Sequence, residues 1–185
     1  MMRTDELLKH YQGGRRRFRR AVLHEAELTQ ADLPDADLTE ADLGGADLSG
    51  TRLSHAKMAG VHAQGARLRN VCLFRANLRG AHFEHSDMRS ADLNGADLSL
   101  ANLGWTDMRD TDLRGARLTN AVLIGANLSR ADLTEANLRR ADLTGADLTE
   151  AVLTKVNLRG ACLVGADLTG ADLSAAIMPD GSVHE

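Results

Sequence analysis

Along this chain the large apolar residues recur at every fifth position. From Phe18 the series runs through Leu23, Leu28 and Leu33, passes Met58, Ala63, Phe83 and Met88, and continues to Leu173 and Met178. Ala63 is its one small member. Two positions before each of these after Phe18 stands a small residue, usually Ala, as at Ala31, Ala46 and Ala96, and between the two lies most often Asp or Asn. The register holds from Arg16 to Asp180 without insertion or deletion, which makes 33 consecutive five-residue units.

A period of five suits neither a helix, whose apolar residues recur at 3.6, nor a strand, where they alternate at 2. A helix would spread these leucines around its surface, and a strand would send successive ones to opposite faces. The pattern therefore predicts a chain that turns after each unit and returns every large residue to one inner axis. Glycines at the end of the unit, such as Gly45, Gly95 and Gly145, suit turns that need positive φ. Asp and Asn can bond locally to the turn backbone.

Units such as Ala46-Asp47-Leu48-Ser49-Gly50, Ala76-Asn77-Leu78-Arg79-Gly80 and Ala141-Asp142-Leu143-Thr144-Gly145 resemble the A(D/N)LXX motif of pentapeptide-repeat proteins, over about nine tenths of the chain. That resemblance implies an all-β, right-handed quadrilateral β-helix with four units per coil. The Leu or Phe and the small residue would lie inside, and the other three positions outside. Residues 20 apart would then stack about 4.8 Å apart, giving about eight coils and a rod roughly 38 Å long. Ala63 would stand between Leu43 and Phe83 in one column, its missing volume beside the extra volume of Phe83.

Residues 1–15 are expected to cap the solenoid of residues 16–180. Thr4 reads as the N-cap of a short helix from Asp5 to Tyr11, with Leu7, Leu8 and Tyr11 on its apolar face and Gly13-Gly14 as the stop. Met178-Pro179-Asp180-Gly181 reads as a turn that ends propagation, and residues 181–185 form a short tail. The protein is then a monomer, or a homodimer joined through this C-terminal end.

Composition narrows the function classes. Aromatic residues make up 3% of the chain, too few for a base-stacking surface or a sugar platform. Without a run of about 18 apolar residues or an apolar signal core, a soluble, unexported, cytoplasmic protein with no membrane partner is expected. Cys72 and Cys162 would lie four and a half coils apart, too far for a disulfide. Nucleophile elbow, phosphate loop and paired-cysteine motif are all missing from the sequence, so neither catalytic residues nor a cofactor or metal is expected.

The net charge is −4. Residues 1–20 carry seven Lys/Arg against two acids, and residues 21–180 carry 23 acids against 15 bases. The run Arg15 to Arg20 would suggest nucleic acid in isolation, but Arg15, Arg17 and Arg20 stand 20 residues from Asp35, Asp37 and Glu40, so inter-coil ion pairs are expected and no direct nucleic-acid contact. A candidate acidic surface comprises Asp32, Asp37, Asp42 and Asp47 with the column Asp92, Asp112, Asp132; Arg89 and Arg109 partly neutralise a second column at Asp87 and Asp107. Some members of the resembled family look like duplex DNA and bind type II topoisomerases, which makes such an enzyme, DNA gyrase for example, a possible partner. Those members carry loops that break the register, and this chain has none.

The least regular surface lies at His62, His82, Glu84, His85 and Trp105. His62 and His82 should stack in one outward column, and His85 with Trp105. His62, His82, His85 and Trp105, with Phe74 as an additional small patch, are the candidate protein-binding surface. The leading expectation is a non-enzymatic scaffold for an unknown protein partner; a DNA-mimic that binds type II topoisomerase is the alternative.

Overall fold

The computed structural model describes residues 3–185. A single helix, α1 (Thr4–Gln12), precedes the repeats. Thr4 is its first residue rather than its cap: Arg3 holds the N-cap position with extended backbone and makes no side-chain capping bond. The chain leaves α1 at Gly13, whose N–H bonds Lys9 O. Leu7 is fully buried in the hydrophobic core, with Leu8 and Tyr11 packed against it. The Tyr11 hydroxyl donates to Pro34 O at 2.6 Å, and the Arg16 guanidinium covers the Tyr11 ring at 3.8 Å.

Beyond α1, parallel bridges join residues 20 apart without a break, from Arg17↔Asp37 to Asn157↔Ile177. Four units therefore close each coil. Each side of a coil contributes one bridged residue flanked by turns, so the sheet is a ladder of single-residue bridges rather than of long strands.

The hydrogen bonds explain the repeat unit position by position. In the unit 121–125, Val122 N–H bonds Ala101 O in the coil before, while Leu123 and Gly125 N–H bond Asp142 O and Thr144 O in the coil after, at 2.7–2.9 Å. The N–H of Ala126, first residue of the next unit, closes the turn onto Leu123 O. Only the fourth N–H is left, and where the second residue is Asp or Asn its side chain takes it: Thr144 N–H bonds Asp142 Oδ1 at 3.0 Å. The same bond recurs at Ser49 to Asp47, Asn94 to Asp92 and Arg139 to Asn137. A short side chain with an acceptor two residues back fits this geometry. Asp and Asn are thus frequent because the backbone needs them.

Every fifth-position residue from Arg20 to Ala175 has φ near +60°, whether Gly or not. The expectation that glycine marks these turns is therefore too narrow. Twenty non-glycine residues adopt the left-handed conformation here, Leu100 and Trp105 among them.

The inner column is buried as expected. Ala63 and Phe83 are both inaccessible, as are Met88 and Met108. Toward the C-terminus Leu163, Leu168 and Leu173 are only partly buried. Past the turn the tail folds back, with Ile177 and Val183 in an antiparallel bridge.

Candidate protein-binding surface

The 20-residue repeat sorts outward side chains onto four sides. The first carries Arg17, Arg19 and their equivalents every 20 residues, the second Val22 and His24, the third Glu27 and Thr29, the fourth Asp32 and Pro34. Fifth-position residues form the corners between sides. Chain order therefore hides neighbours that the sides bring together.

Such an unbroken 20-residue ladder of A(D/N)LXX units decides the family. A family model for pentapeptide repeats matches the chain in eight copies, at residues 17–39, 36–74, 76–115, 101–140, 111–149 and 136–174. The chain belongs to the pentapeptide-repeat family. Among solved pentapeptide-repeat proteins it is similar to HetL, involved in heterocyst differentiation regulation, from the cyanobacterium Nostoc sp. strain PCC 7120, with 34% identity over 100% of both chains and a TM-score of 0.44. It is also similar to full-length QnrB1, a plasmid-mediated fluoroquinolone resistance protein, with 22% identity over 82% of this chain and 76% of that one and a TM-score of 0.36. A third similar structure is alr5209 from Nostoc PCC 7120, at 32% identity, 68% and 80% coverage and a TM-score of 0.28. No curated protein matches the chain.

In this pentapeptide-repeat solenoid the second side is the least charged. From Val22 to Val164 its outward positions hold no Lys or Arg and three acids, Asp42, Glu84 and Asp142. The His62 and His82 rings stack, 5.0 Å apart and 7° from parallel. His82 Nδ1 lies 3.5 Å from Glu84 Oε1, which also accepts a hydrogen bond from Asn102 Nδ2 at 2.7 Å.

Trp105 occupies the corner after this side and is 64% exposed. It does not stack on His85. Its indole leans the other way, onto Gly125, where an added Cβ would come within 2.6 Å of the ring. Gly145 and Gly165 continue the same corner column. Leu100, at the corner before the side, is half exposed, Val164 is 70% exposed, and Val122 and Ile124 are half-buried between them. These four aliphatic residues widen the patch around Trp105. Reading the leucine register alone passes over them, although sorting outward positions by 20 would have found them.

Phe74 belongs elsewhere. It lies on the fourth side, opposite the second, with His55 edge-on at 5.6 Å and the Arg75 guanidinium 5.0 Å from its ring. The candidate surface therefore divides into a cluster around Trp105 and a separate, cation-covered Phe74.

The acidic surface is interleaved with arginines and one histidine. Asp32 and Asp47 face Arg52 and Arg67 of the following coil at 3.6 and 2.8 Å, Asp42 faces His24 at 3.6 Å, and Asp37 faces Arg19 at 4.0 Å. Of the expected Arg15, Arg17 and Arg20 pairs, only Arg20–Glu40 forms, at 2.6 Å. Arg15 instead bonds Arg17 O and lies over Phe18. Arg17 meets Asp37 through its backbone bridge.

The column Asp92, Asp112, Asp132 is not bare either. Arg114 makes a two-bond contact with Asp112 and reaches Asp132 at 3.8 Å, while Asp92 accepts from Cys72 Sγ at 3.6 Å. Arg89 and Arg109 fork onto Asp87 and Asp107 in the same way. The Arg114 and Arg109 hydrogen bonds hold the Asp112 and Asp107 carboxyls below the usual carboxylate range, outweighing their partial burial.

Cys72 and Cys162 are free thiols. Among the described residues no cluster of three or more His, Cys, Asp or Glu could hold a metal ion, and no helix is long and apolar enough to cross a membrane.

Proposed function

We propose that this chain is a rigid, non-enzymatic cytoplasmic scaffold whose second side binds a protein partner. The observation that carries this reading is the exposed Trp105, Leu100 and Val164 and the half-buried Val122 and Ile124, on or at the corners of a side whose outward positions hold no Lys or Arg. An exposed tryptophan beside a side without Lys or Arg can be desolvated at small electrostatic cost, the usual character of an interface anchor. The solenoid supports it by holding the backbone that carries each outward side chain on a hydrogen-bonded lattice. Ordering on binding then costs little.

A DNA-like surface offered to a type II topoisomerase is the alternative. Its motive is the abundance of Asp, and the pairing of Asp47, Asp87, Asp107 and Asp112 with arginines weighs against it. So does the use of Asp side chains by the turn backbone.

Gyrase supercoiling, assayed with wild type, an Asp92/Asp112/Asp132→Asn triple variant and Trp105→Ala, separates the readings. The scaffold reading predicts no inhibition at low micromolar wild-type protein. Inhibition abolished in the triple variant but kept by Trp105→Ala would overturn it.

A further inference from the structure

We infer that the first side of the solenoid is a second interaction surface, one that takes an acidic segment of a protein partner. The overall charge of −4 conceals a strong division by side. Outward positions of the first side hold seven Arg or Lys against two Asp, whereas the second holds none against three, the third four against six, and the fourth two against five. One side is therefore basic along its length, and the three others are acidic.

The repeat supplies an internal control for what those cations do. On the third and fourth sides the sequence Asp-x-Arg gives a forked ion pair, as at Asp87–Arg89, Asp107–Arg109 and Asp112–Arg114. On the first side the same positions read Asn77-x-Arg79, Asn137-x-Arg139 and Asn157-x-Arg159. Each Asn Oδ1 takes the backbone N–H of its Arg at 3.1 Å, the bond that Asp makes elsewhere. The rest of the Asn amide is a donor and offers the guanidinium nothing. Among the described residues no carboxylate lies within 4.0 Å of Arg79, Arg139, Arg159 or the neighbouring Arg117, and all four are exposed.

Arg117, Arg139 and Arg159 come from three successive coils, a span of about 10 Å at the coil spacing, which three or four residues of extended chain cover. At the edge of this side, Arg75 and Arg117 flank an open polar notch of about 370 Å³, where Gly115 leaves the corner bare, the Arg75 stem lies over Gly95, and Asp97 is the one acid. Unpaired guanidinium forks suit carboxylates. The surface is one coil side wide, between two sides of net negative charge. A duplex or a lipid surface is broader and would overlap those acidic flanks, whereas a single extended acidic strand fits between them. Aromatic residues for base stacking are missing from this side.

The inference is independent of Trp105, and its test is too. A fluorescein-labelled ten-residue poly-Glu peptide is titrated with wild-type protein by anisotropy at low and physiological salt. The same titration is run with Arg117/Arg139/Arg159→Gln, with Arg89/Arg109/Arg114→Gln, which removes equal charge from paired positions, and with Trp105→Ala. Thermal melts check that each variant is folded. Expected are salt-sensitive binding, at least about tenfold weaker in the first triple variant, and little change in the other two. Three results would each overturn the inference: no binding by wild type, equal loss in both triple variants, or tighter binding of duplex DNA or phosphatidylserine vesicles that depends on the same three arginines.

Discussion

At the scale of the residue, the repeat is a solution to backbone hydrogen bonding. The third and fifth N–H groups bond the coil after, the second the coil before and the first closes the turn before it, while an Asp or Asn side chain at position two takes the fourth. The leucine period could be read from sequence because every unit repeats it. The left-handed corner could be read only where glycine stood, since its cause lies in the coil geometry. That geometry holds Ser90 at φ 55° and leaves open space where Gly115 would carry a Cβ. Ser90→Gly should therefore stabilise and Gly115→Ala destabilise, each by about 1 kcal/mol, in urea unfolding. Opposite signs at two corners with the same hydrogen bonds would isolate backbone strain as the cause; like signs would refute it. The forked carboxylates give a pH prediction. The folded-state pKa values of Asp107 and Asp112 lie below the unfolded one, about 3.9. Their stabilisation is thus complete above that pH and lost as pH falls through the folded values. Melting temperature should drop below about pH 4, and less steeply in Arg109→Gln/Arg114→Gln; an unchanged slope would show that these pairs contribute nothing.

The elements are coils, and their packing is columnar. Leu43, Ala63 and Phe83 are inaccessible members of one inner column, so a deficit in one coil is met by an excess in the next. The sequence disclosed this pairing as soon as four units per coil were assumed, because stacking partners are always 20 apart. Phe83→Ala should cost about 3–5 kcal/mol, and Ala63→Leu should overpack the same layer. Combining Ala63→Leu with Phe83→Leu should cost less than the sum of the separate changes; strict additivity would mean the two do not touch. Helix α1 is an element of another kind. Its apolar face at Leu7, Leu8 and Tyr11 was evident from spacing, but its start was not, because Arg3 provides no side-chain cap that a sequence rule could recognise.

For the whole molecule, surface identity belongs to the sides, and this the linear sequence conceals. Counted along the chain, charge divides into a basic start and an acidic remainder. Counted by side, it divides into one basic side and three acidic ones, and the basic side contains Arg139 and Arg159 near the far end. Leu100, Trp105, Val164 and the pair Val122 and Ile124 likewise come from four different units and are brought to one side only when the coil closes. Phe74, read from the sequence as an additional small patch, lies on the opposite side. The central functional claim, recognition through the second side, is tested most directly by a photo-crosslinking scan in the native host. A benzophenone side chain is placed at one outward position per side: residue 119 on the first, 124 on the second, 149 on the third and 154 on the fourth. The account predicts a partner protein crosslinked strongly at 124 and lost on Trp105→Ala. A partner that crosslinks at 149 or 154 but not at 124, with Trp105→Ala without effect, would contradict it.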